Sequence, residues 1–266
     1  MRMVKWMVPV MLLALAGMVG AFARPSMEQR VPRERATIVV AIDTSLSMEA
    51  TDVAPSRLEA AQAAAKDFVE RLPKRLNVGL VTFNGVAQVV VPPTQDHDEL
   101  LAAIDQIRLG ERTAIGEAIF ASLDAIKTAA PKDGSKVPAA IVLMSDGSTT
   151  SGRTDGEGAA AAKKAKVPVS TISFGTPNGY IQIPGEPEPV SVAVNPEALD
   201  KIANDTNGKA FSAATGEELK AVYENIGSSV GYNTEQRQVT STFVGVSMVI
   251  LFAAAVLSQL WFSRLP

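Results

Sequence analysis

The chain contains no cysteine and a single histidine, and aromatic residues make up only 5 % of its 266 positions. The absence of cysteine excludes disulfide frameworks, thiolate zinc sites, iron–sulfur ligation and cysteine nucleophiles. A single histidine excludes histidine-rich metal sites and catalysis by several histidines. Any metal site in this chain must therefore be built from oxygen ligands.

The sequence also lacks a strong excess of charge of either sign. Its 25 Lys and Arg residues against 28 Asp and Glu residues give a formal net charge of −3. A nucleic-acid-binding protein would carry a strongly basic face, so nucleic acid is not an expected partner. The hydrophobic share of 47 % excludes a disordered chain, and the length suits one medium domain with attachments.

Three enzyme patterns are missing or misplaced. No G-x-x-x-x-G-K-[ST] loop is present to cradle phosphates. The haloacid-dehalogenase-type phosphatase pattern needs a second aspartate two residues after the first, and Ser45 occupies that place after Asp43. The stretch from Gly227 to Gly231 matches G-x-S-x-G, but it follows a predicted helix, whereas that nucleophile pattern requires a strand, a turn and then a helix. We therefore expect a chain that is not an enzyme.

Two long apolar runs lie near the ends of the chain. The run at 6–23 follows basic residues and ends in an A-x-A pattern, which is typical of either an uncleaved membrane anchor or a cleavable signal peptide. We favour the anchor. The run at 243–262 would span ~30 Å as a helix, the thickness of a bilayer's hydrocarbon core, and is predicted to be transmembrane.

The first apolar run also indicates on which side of the membrane the middle of the chain lies. Both interpretations of it place the middle of the chain outside the cytoplasm. The arginines within 24–35 outnumber the two basic residues before the run, which favours the opposite orientation. We expect the extracytoplasmic side, because that charge rule is weak beside a long translocated domain.

Between these runs, strand and helix patterns alternate over a domain predicted at residues 36–230, with linkers at 24–35 and 231–242. This alternation predicts an α/β fold with a doubly wound, mostly parallel sheet and helices on both faces. Asn84-Gly85 separates two strand patterns and predicts a hairpin that supplies an antiparallel edge. Ser56, three residues before Glu59, predicts the start of the first long helix.

Oxygen-bearing side chains follow two of the predicted strands. Asp43, Ser45 and Ser47 alternate directly after the first strand, and Asp146 follows the apolar run at 139–144. Thr113 precedes a predicted helix. Ligands bind at the carboxyl ends of the strands in doubly wound sheets, where two carboxylates ~4 Å apart would repel by about 4 kcal/mol at an effective dielectric of 20. A hard cation removes that repulsion, so the pattern predicts Mg²⁺, with Mn²⁺ as an alternative.

This set of residues resembles the metal-ion-dependent adhesion site of a von Willebrand factor A (VWA) domain. The likeness covers about 36–230, and every position of the motif is present: Asp43, Ser45, Ser47, Thr113 and Asp146. The resemblance implies that these side chains hold Mg²⁺ directly or through water. It also implies that an acidic side chain of a protein partner completes the octahedron.

A narrower likeness is carried by the stretches at 48–57, 112–119 and 169–176. They resemble membrane-anchored Bat or aerotolerance-type bacterial VWA proteins. This resemblance implies a VWA domain on the outer side of the cell membrane and a role in assembling or maturing cell-envelope complexes. It also implies a functional link to a MoxR-type ATPase.

The leading hypothesis is thus a membrane-anchored, divalent-cation-dependent protein-binding module. Two alternatives stay open: a structural membrane scaffold whose metal site only stabilises the fold, and, weaker, a metal-assisted phosphohydrolase. Four features near the motif are interpreted without a ligand role. We expect Asp52 to be a solvated loop carboxylate, Ser145 to orient Asp146 or cap a backbone group, His97 to lie at a solvated helix start, and 180–190 to form a surface hairpin.

Overall fold

The computed structural model describes residues 19, 22, 26–32, 35–131, 137–147, 149–183, 187–230, 232–238 and 240–262. The chain divides into two compact units, one made of residues 32–232 and the other of the two chain ends.

The described residues form ten strands and seven α-helices, separated by short loops and one 3₁₀ helix at Leu46–Glu49. The strands are β1 (Ser26–Pro32), β2 (Thr37–Asp43), β3 (Asn77–Phe83), β4 (Ala87–Thr94), β5 (Ala139–Ser145), β6 (Val169–Phe174), β7 (Tyr180–Ile181), β8 (Val190–Ser191), β9 (Ala210–Ala213) and β10 (Tyr232–Gln238). The helices are α1 (Arg57–Arg71), α2 (His97–Asp105), α3 (Ile115–Thr128), α4 (Asp155–Ala165), α5 (Pro196–Asp205), α6 (Gly216–Val230) and α7 (Thr240–Phe262).

The larger unit is built on a six-stranded sheet with the strand order β4-β3-β2-β5-β6-β9. Every neighbouring pair is parallel except β3 and β4, which form the antiparallel edge around Asn84 and Gly85. Strands β2 and β5 lie side by side at the centre, with Ile42 beside Met144. The predicted doubly wound, mostly parallel sheet is confirmed.

The central strand β2 is buried on both faces, which explains its unbroken apolar sequence. Ile38, Val40 and Ile42 face a core formed with α1, α2 and α6. Val39 and Ala41 point the other way, into a core formed with α3, α4 and α5. The predicted layers of helices on both faces are therefore confirmed.

Helix α1 begins where the sequence predicted. The Ser56 hydroxyl accepts a hydrogen bond from the Glu59 backbone N–H at 3.2 Å, which satisfies one of the free donors of the first turn. Farther along α1, Phe68 is buried and stacks on Tyr223 of α6, with 4.8 Å between the ring centroids. This ring pair joins the two helices over the sheet.

Histidine 97 lies inside the protein, so the expectation of a solvated position was wrong. Its side chain is only 7 % exposed, and Nε2 lies 3.2 Å from the carbonyl oxygen of Leu76. Asp96 caps the helix by accepting from the Glu99 backbone N–H at 3.3 Å. The acidic residues of this first turn are solvated, whereas His97 is on the side of α2 that packs against β3.

The second unit contains strands β1 and β10, which pair with each other, and helix α7. The segments interpreted as linkers, 24–35 and 231–242, thus each contain a strand. The apolar run at 6–23 lies outside the described residues except for positions 19 and 22. Judged on the described residues alone, no helix is both long and apolar enough to cross a membrane.

The Phe68–Tyr223 contact gives a test of the larger unit. Replacing Phe68 with Ala should lower the free energy of unfolding by about 3–5 kcal/mol, because the lost ring leaves a cavity between α1 and α6. Urea unfolding of the full chain followed by circular dichroism measures this change. Val86→Ala is the matched control: Val86 is 69 % exposed, and its loss should change stability by no more than about 0.5 kcal/mol. A similar small effect at Phe68 would contradict the assigned contact.

Candidate metal centre

The candidate site lies at the carboxyl ends of the two central strands. Asp43 is the last residue of β2, and Asp146 directly follows Ser145, the last residue of β5. Since β2 and β5 are parallel neighbours, their ends lie at the same edge of the sheet. Asp43 is fully buried and Asp146 is 4 % exposed.

The loop after β2 gathers three of the predicted ligands. The Ser45 backbone N–H donates to Asp43 Oδ1 at 2.8 Å, and the hydroxyl oxygens of Ser45 and Ser47 lie 2.9 Å apart. The 3₁₀ helix that begins at Leu46 turns this loop back, and its Met48 is fully buried in the core. The buried Met48 thereby anchors the loop that carries the two serines.

Ser145 links the two strand ends. Its hydroxyl donates to Asp43 Oδ2 at 2.5 Å and accepts from the Gly147 backbone N–H at 3.2 Å. The prediction that Ser145 caps a backbone group is therefore confirmed. The carboxylate that it orients, however, is Asp43 on the neighbouring strand rather than Asp146.

Thr113 lies in the loop before α3 and is 5 % exposed. Its backbone N–H donates to the Thr150 hydroxyl at 3.0 Å, and its carbonyl accepts from the Thr150 and Ser151 N–H groups at 2.8 and 3.1 Å. The same loop meets the loop after β2, where the Gly110 N–H donates to the Thr44 carbonyl at 2.7 Å. Backbone hydrogen bonds thus hold the three loops that carry the predicted ligands together.

The electrostatics of the site favour a cation. Burial and, next, the nearby charge of Asp146 raise the pKa of Asp43 to about 7, although hydrogen bonds from Ser145 and Ser45 act to lower it. Among the described residues no group of three or more His, Asp and Glu side chains forms a metal site, so the two carboxylates would share a cation with hydroxyls. Two buried carboxylates and nearby hydroxyls are the donor set that Mg²⁺ or Mn²⁺ accepts.

Asp52 is not a solvated carboxylate, and that expectation was wrong. Arg57 Nε donates to its Oδ1 at 2.8 Å and Arg57 Nη2 to its Oδ2 at 2.7 Å. The backbone N–H and the hydroxyl of Thr176 both donate to Oδ2 at 2.8 Å. Burial alone would raise the pKa of Asp52, but these hydrogen bonds outweigh it and hold the pKa at about 2.

Arg57 itself was not singled out from the sequence as a site residue. Its side chain is completely buried, and its Nη1 lies 3.7 Å from Asp146 Oδ2. A buried guanidinium requires carboxylate partners, and Asp52 and Asp146 supply them. The sequence offers one sign of the Asp52–Arg57 pair: Arg57 begins a predicted helix and follows Asp52 by five residues.

The loop after β5 depends on a glycine. Gly147 has a φ of +91°, and a Cβ atom there would lie 2.0 Å from the carbonyl oxygen of Asn195. The Asn195 N–H donates to the Asp146 carbonyl at 2.7 Å, directly before α5. Only glycine combines this backbone conformation with so close an approach.

The link through Ser145 gives a test of this geometry. Ser145→Ala should lower the free energy of unfolding by about 1–3 kcal/mol in EDTA, because it leaves the Gly147 N–H and one Asp43 oxygen without their partner. Ser122→Ala is the matched control, since this buried hydroxyl donates only to the Ala118 carbonyl of its own helix. Urea unfolding measures both variants, and equal losses would contradict the special role of Ser145.

Comparisons with known proteins agree with this geometry. A family model described as "von Willebrand factor type A domain" matches residues 38–148, which include every predicted ligand. The UPF0353 protein of Nocardia farcinica (strain IFM 10152) is 42 % identical over 275 residues, which cover 97 % of this chain and 82 % of that protein.

Two solved structures extend the comparison. The crystal structure of an aerotolerance-related membrane protein from Bacteroides fragilis NCTC 9343 is 26 % identical with a TM-score of 0.63, covering 72 % of this chain and 96 % of that one. Proximal thread matrix protein 1 of the mussel byssus, with a zinc-occupied metal-ion-dependent adhesion site, is 18 % identical with a TM-score of 0.58, covering 79 % of this chain and 50 % of that one. The first agrees with the resemblance to aerotolerance-type proteins, and the second is similar in fold. The chain belongs to the UPF0353 family, and its middle part is a VWA domain.

Proposed function

We propose that this chain is a divalent-cation-dependent protein-binding module, anchored in the cell membrane with its VWA domain on the extracytoplasmic side. One observation carries the proposal: two buried carboxylates, Asp43 and Asp146, meet at the ends of adjacent strands, and the hydroxyl-bearing residues Ser45, Ser47 and Thr113 lie in loops joined to them. Such a set holds a hard cation and leaves room for one more oxygen ligand.

In this proposal the cation is Mg²⁺, with Mn²⁺ as the alternative. Asp43, Ser45, Ser47, Thr113 and Asp146 hold it directly or through water. Bound there, the cation supplies a positive centre at the domain surface that an acidic side chain of a protein partner can ligate. The zinc-occupied site of the mussel protein is consistent with a divalent cation at this place in the fold.

We propose binding rather than catalysis. Hydroxyls and carboxylates form the site. Ser145 is held by Asp43 and the Gly147 backbone, and Arg57, beside Asp146, is held by Asp52. His97, the chain's single histidine, faces the Leu76 carbonyl instead of the metal centre. In this proposal Asp43 and Asp146 ligate the cation and His97 lies against a backbone carbonyl, so none of these three side chains is assigned as a general base.

Two observations support the proposed membrane anchoring: the apolar run near the end of the sequence and one similar protein. The apolar run at 243–262 lies within helix α7, whose Val246, Met248, Val249 and Phe252 side chains are more than half exposed. The similar protein from Bacteroides fragilis is described as a membrane protein. We propose that the chain helps to assemble or mature cell-envelope complexes, in functional connection with a MoxR-type ATPase.

Substitution of Asp43 tests the cation site. Asp43→Ala should abolish Mg²⁺ binding by the purified full chain, because the cation loses a buried carboxylate, while circular dichroism should show an unchanged fold. The matched control is Asp67→Ala, which removes a carboxylate on α1 whose partner is Arg71. Isothermal titration measures the affinities, and unchanged Mg²⁺ binding by Asp43→Ala would contradict the proposal.

Partner capture extends the same comparison to function. The detergent-solubilised full chain is immobilised and exposed to cell-envelope proteins as wild type in Mg²⁺, wild type in EDTA, and Asp43→Ala in Mg²⁺. A protein retained only in the first condition supports cation-bridged recognition. If the same proteins are retained in all three, the site only stabilises the fold and the scaffold alternative replaces the binding module.

The scaffold alternative is favoured by one observation, which is the complete burial of Asp43. A cation that neutralises a buried carboxylate stabilises the folded state by mass action, whatever else it does. Both hypotheses therefore predict a lower melting temperature in EDTA. Only the binding module predicts that EDTA also releases a specific partner.

A further inference from the structure

A buried arginine connects the candidate metal centre to a segment far away in the sequence. Arg57, the first residue of α1, is fully buried and lies with its Nη1 3.7 Å from Asp146 Oδ2. Its other two nitrogens are held more tightly by Asp52, at 2.8 and 2.7 Å. Asp52 thus fixes the guanidinium, and the guanidinium in turn presents one edge to a predicted metal ligand.

The same guanidinium contacts residues on both sides of the short strands β7 and β8. The segment from Thr176 to Asn195 here means its described residues, 176–183 and 187–195. Arg57 Nη2 donates to the Val192 carbonyl at 3.1 Å, and Asp52 accepts two hydrogen bonds from Thr176. The segment closes directly over the guanidinium, because a Cβ on Gly179 would lie 2.1 Å from Arg57 Nη2. Gly175, just before the segment, has a φ of +127°, and a Cβ there would lie 2.5 Å from Arg57 Cζ.

The far end of this segment is attached to the metal centre a second time, through backbone. The Asn195 N–H donates to the Asp146 carbonyl at 2.7 Å. Within the segment, the Val192 and Val194 N–H groups donate to the Gly179 and Thr176 carbonyls at 2.8 and 3.4 Å. One end of the segment therefore contacts Asp146 directly, and the other end contacts Asp52, which holds the Arg57 guanidinium beside Asp146.

We propose that Arg57 is a positioning residue of the metal centre: held by Asp52, it orients the Asp146 carboxylate for the cation and couples cation binding to the segment from Thr176 to Asn195. The inference rests on the proposed cation site. Arg57 reaches Asp146, Asp52 and the segment at once because its guanidinium is planar and carries donors on several edges. A lysine has one ammonium group and cannot make these contacts together.

Replacing Arg57 should change the Mg²⁺ affinity in opposite directions, depending on whether Arg57 orients Asp146 or acts only through its positive charge. A positive charge near the site repels the cation, so if charge were the whole effect, Arg57→Met would bind Mg²⁺ more tightly and Arg57→Lys would bind like the wild type. If Arg57 orients Asp146, both variants should bind Mg²⁺ about tenfold or more weakly, as is typical when a residue that orients a metal ligand is replaced.

Isothermal titration of the full chain with Mg²⁺ separates these cases. Arg71→Met is the matched control, since Arg71 is the last residue of α1, half exposed and paired with Asp67 and Glu224. Weaker binding by both Arg57 variants, with Arg71→Met unchanged, is the expected result. Wild-type or tighter binding by Arg57→Met overturns the inference.

Hydrogen exchange of the wild-type chain gives a second readout that needs no variant. Mg²⁺ should slow exchange of the Thr176, Val192 and Asn195 amides, with the edge strand β4 as internal reference. Arg57→Lys at saturating Mg²⁺ should lose the slowing at Thr176 and Val192. If Mg²⁺ leaves these wild-type amides unchanged, the coupling is absent and the inference fails, even where an Arg57 variant does not fold.

Different Mg²⁺-binding results would contradict the proposed function and the role inferred for Arg57. If the wild-type chain does not bind Mg²⁺, the proposed function fails and the inference fails with it. If the wild type binds Mg²⁺ and Asp43→Ala does not, the proposed site stands. Normal binding by the Arg57 variants would then remove the inference alone.

Discussion

The structure of the site depends on the repulsion between two neighbouring buried carboxylates, Asp43 and Asp146. Asp43 and Asp146 lie beyond the ends of neighbouring parallel strands, so the sheet itself brings them together. Burial and mutual repulsion raise the pKa of Asp43 to about 7. Ser45 and Ser145, which donate hydrogen bonds to Asp43, and the guanidinium of Arg57, which lies beside Asp146, all act on this excess of negative charge, as would the proposed cation.

The three loops that carry the predicted ligands are each attached firmly to the rest of the domain. The loop after β2 is held by Met48 in the core, the loop before α3 by backbone bonds to Thr150, and the loop after β5 by Gly147 and Asn195. Each loop is anchored by contacts that leave its oxygen-bearing side chains near the edge of the sheet. A rigid frame of this kind reduces the ordering that a cation and its partner would otherwise have to impose.

The main sheet and its layers of helices could be predicted because their signals are local. The unbroken apolar run of β2, the Asn84-Gly85 turn and the cap at Ser56 each depend on neighbours within a few residues. The capping box of α4, formed by Thr154 and Glu157, was equally visible in the sequence and was overlooked. The pairing of β1 with β10 joins two polar segments without apolar alternation, so periodicity gave no sign of it.

The environment of the site could not be predicted in the same way. Asp52 is bound by Thr176, 124 residues later, and Arg57 by Val192, 135 residues later, and no local pattern marks such pairs. His97 was misjudged because its acidic neighbours are solvated while its own side of the helix faces β3. Local motifs therefore predicted which oxygen-bearing side chains lie at the edge of the sheet, whereas Arg57 and its contacts emerged only from the folded chain.

The central claim is that one divalent cation binds between the ends of β2 and β5. Anomalous diffraction from crystals of the full chain grown with Mn²⁺ tests it most directly, because manganese is located without reference to any assumed ligand. The expected result is a single strong peak within coordination distance of oxygens from Asp43, Asp146 and the hydroxyl-bearing loops. A well-ordered site without a peak, or a peak bound elsewhere on the chain, would contradict the claim.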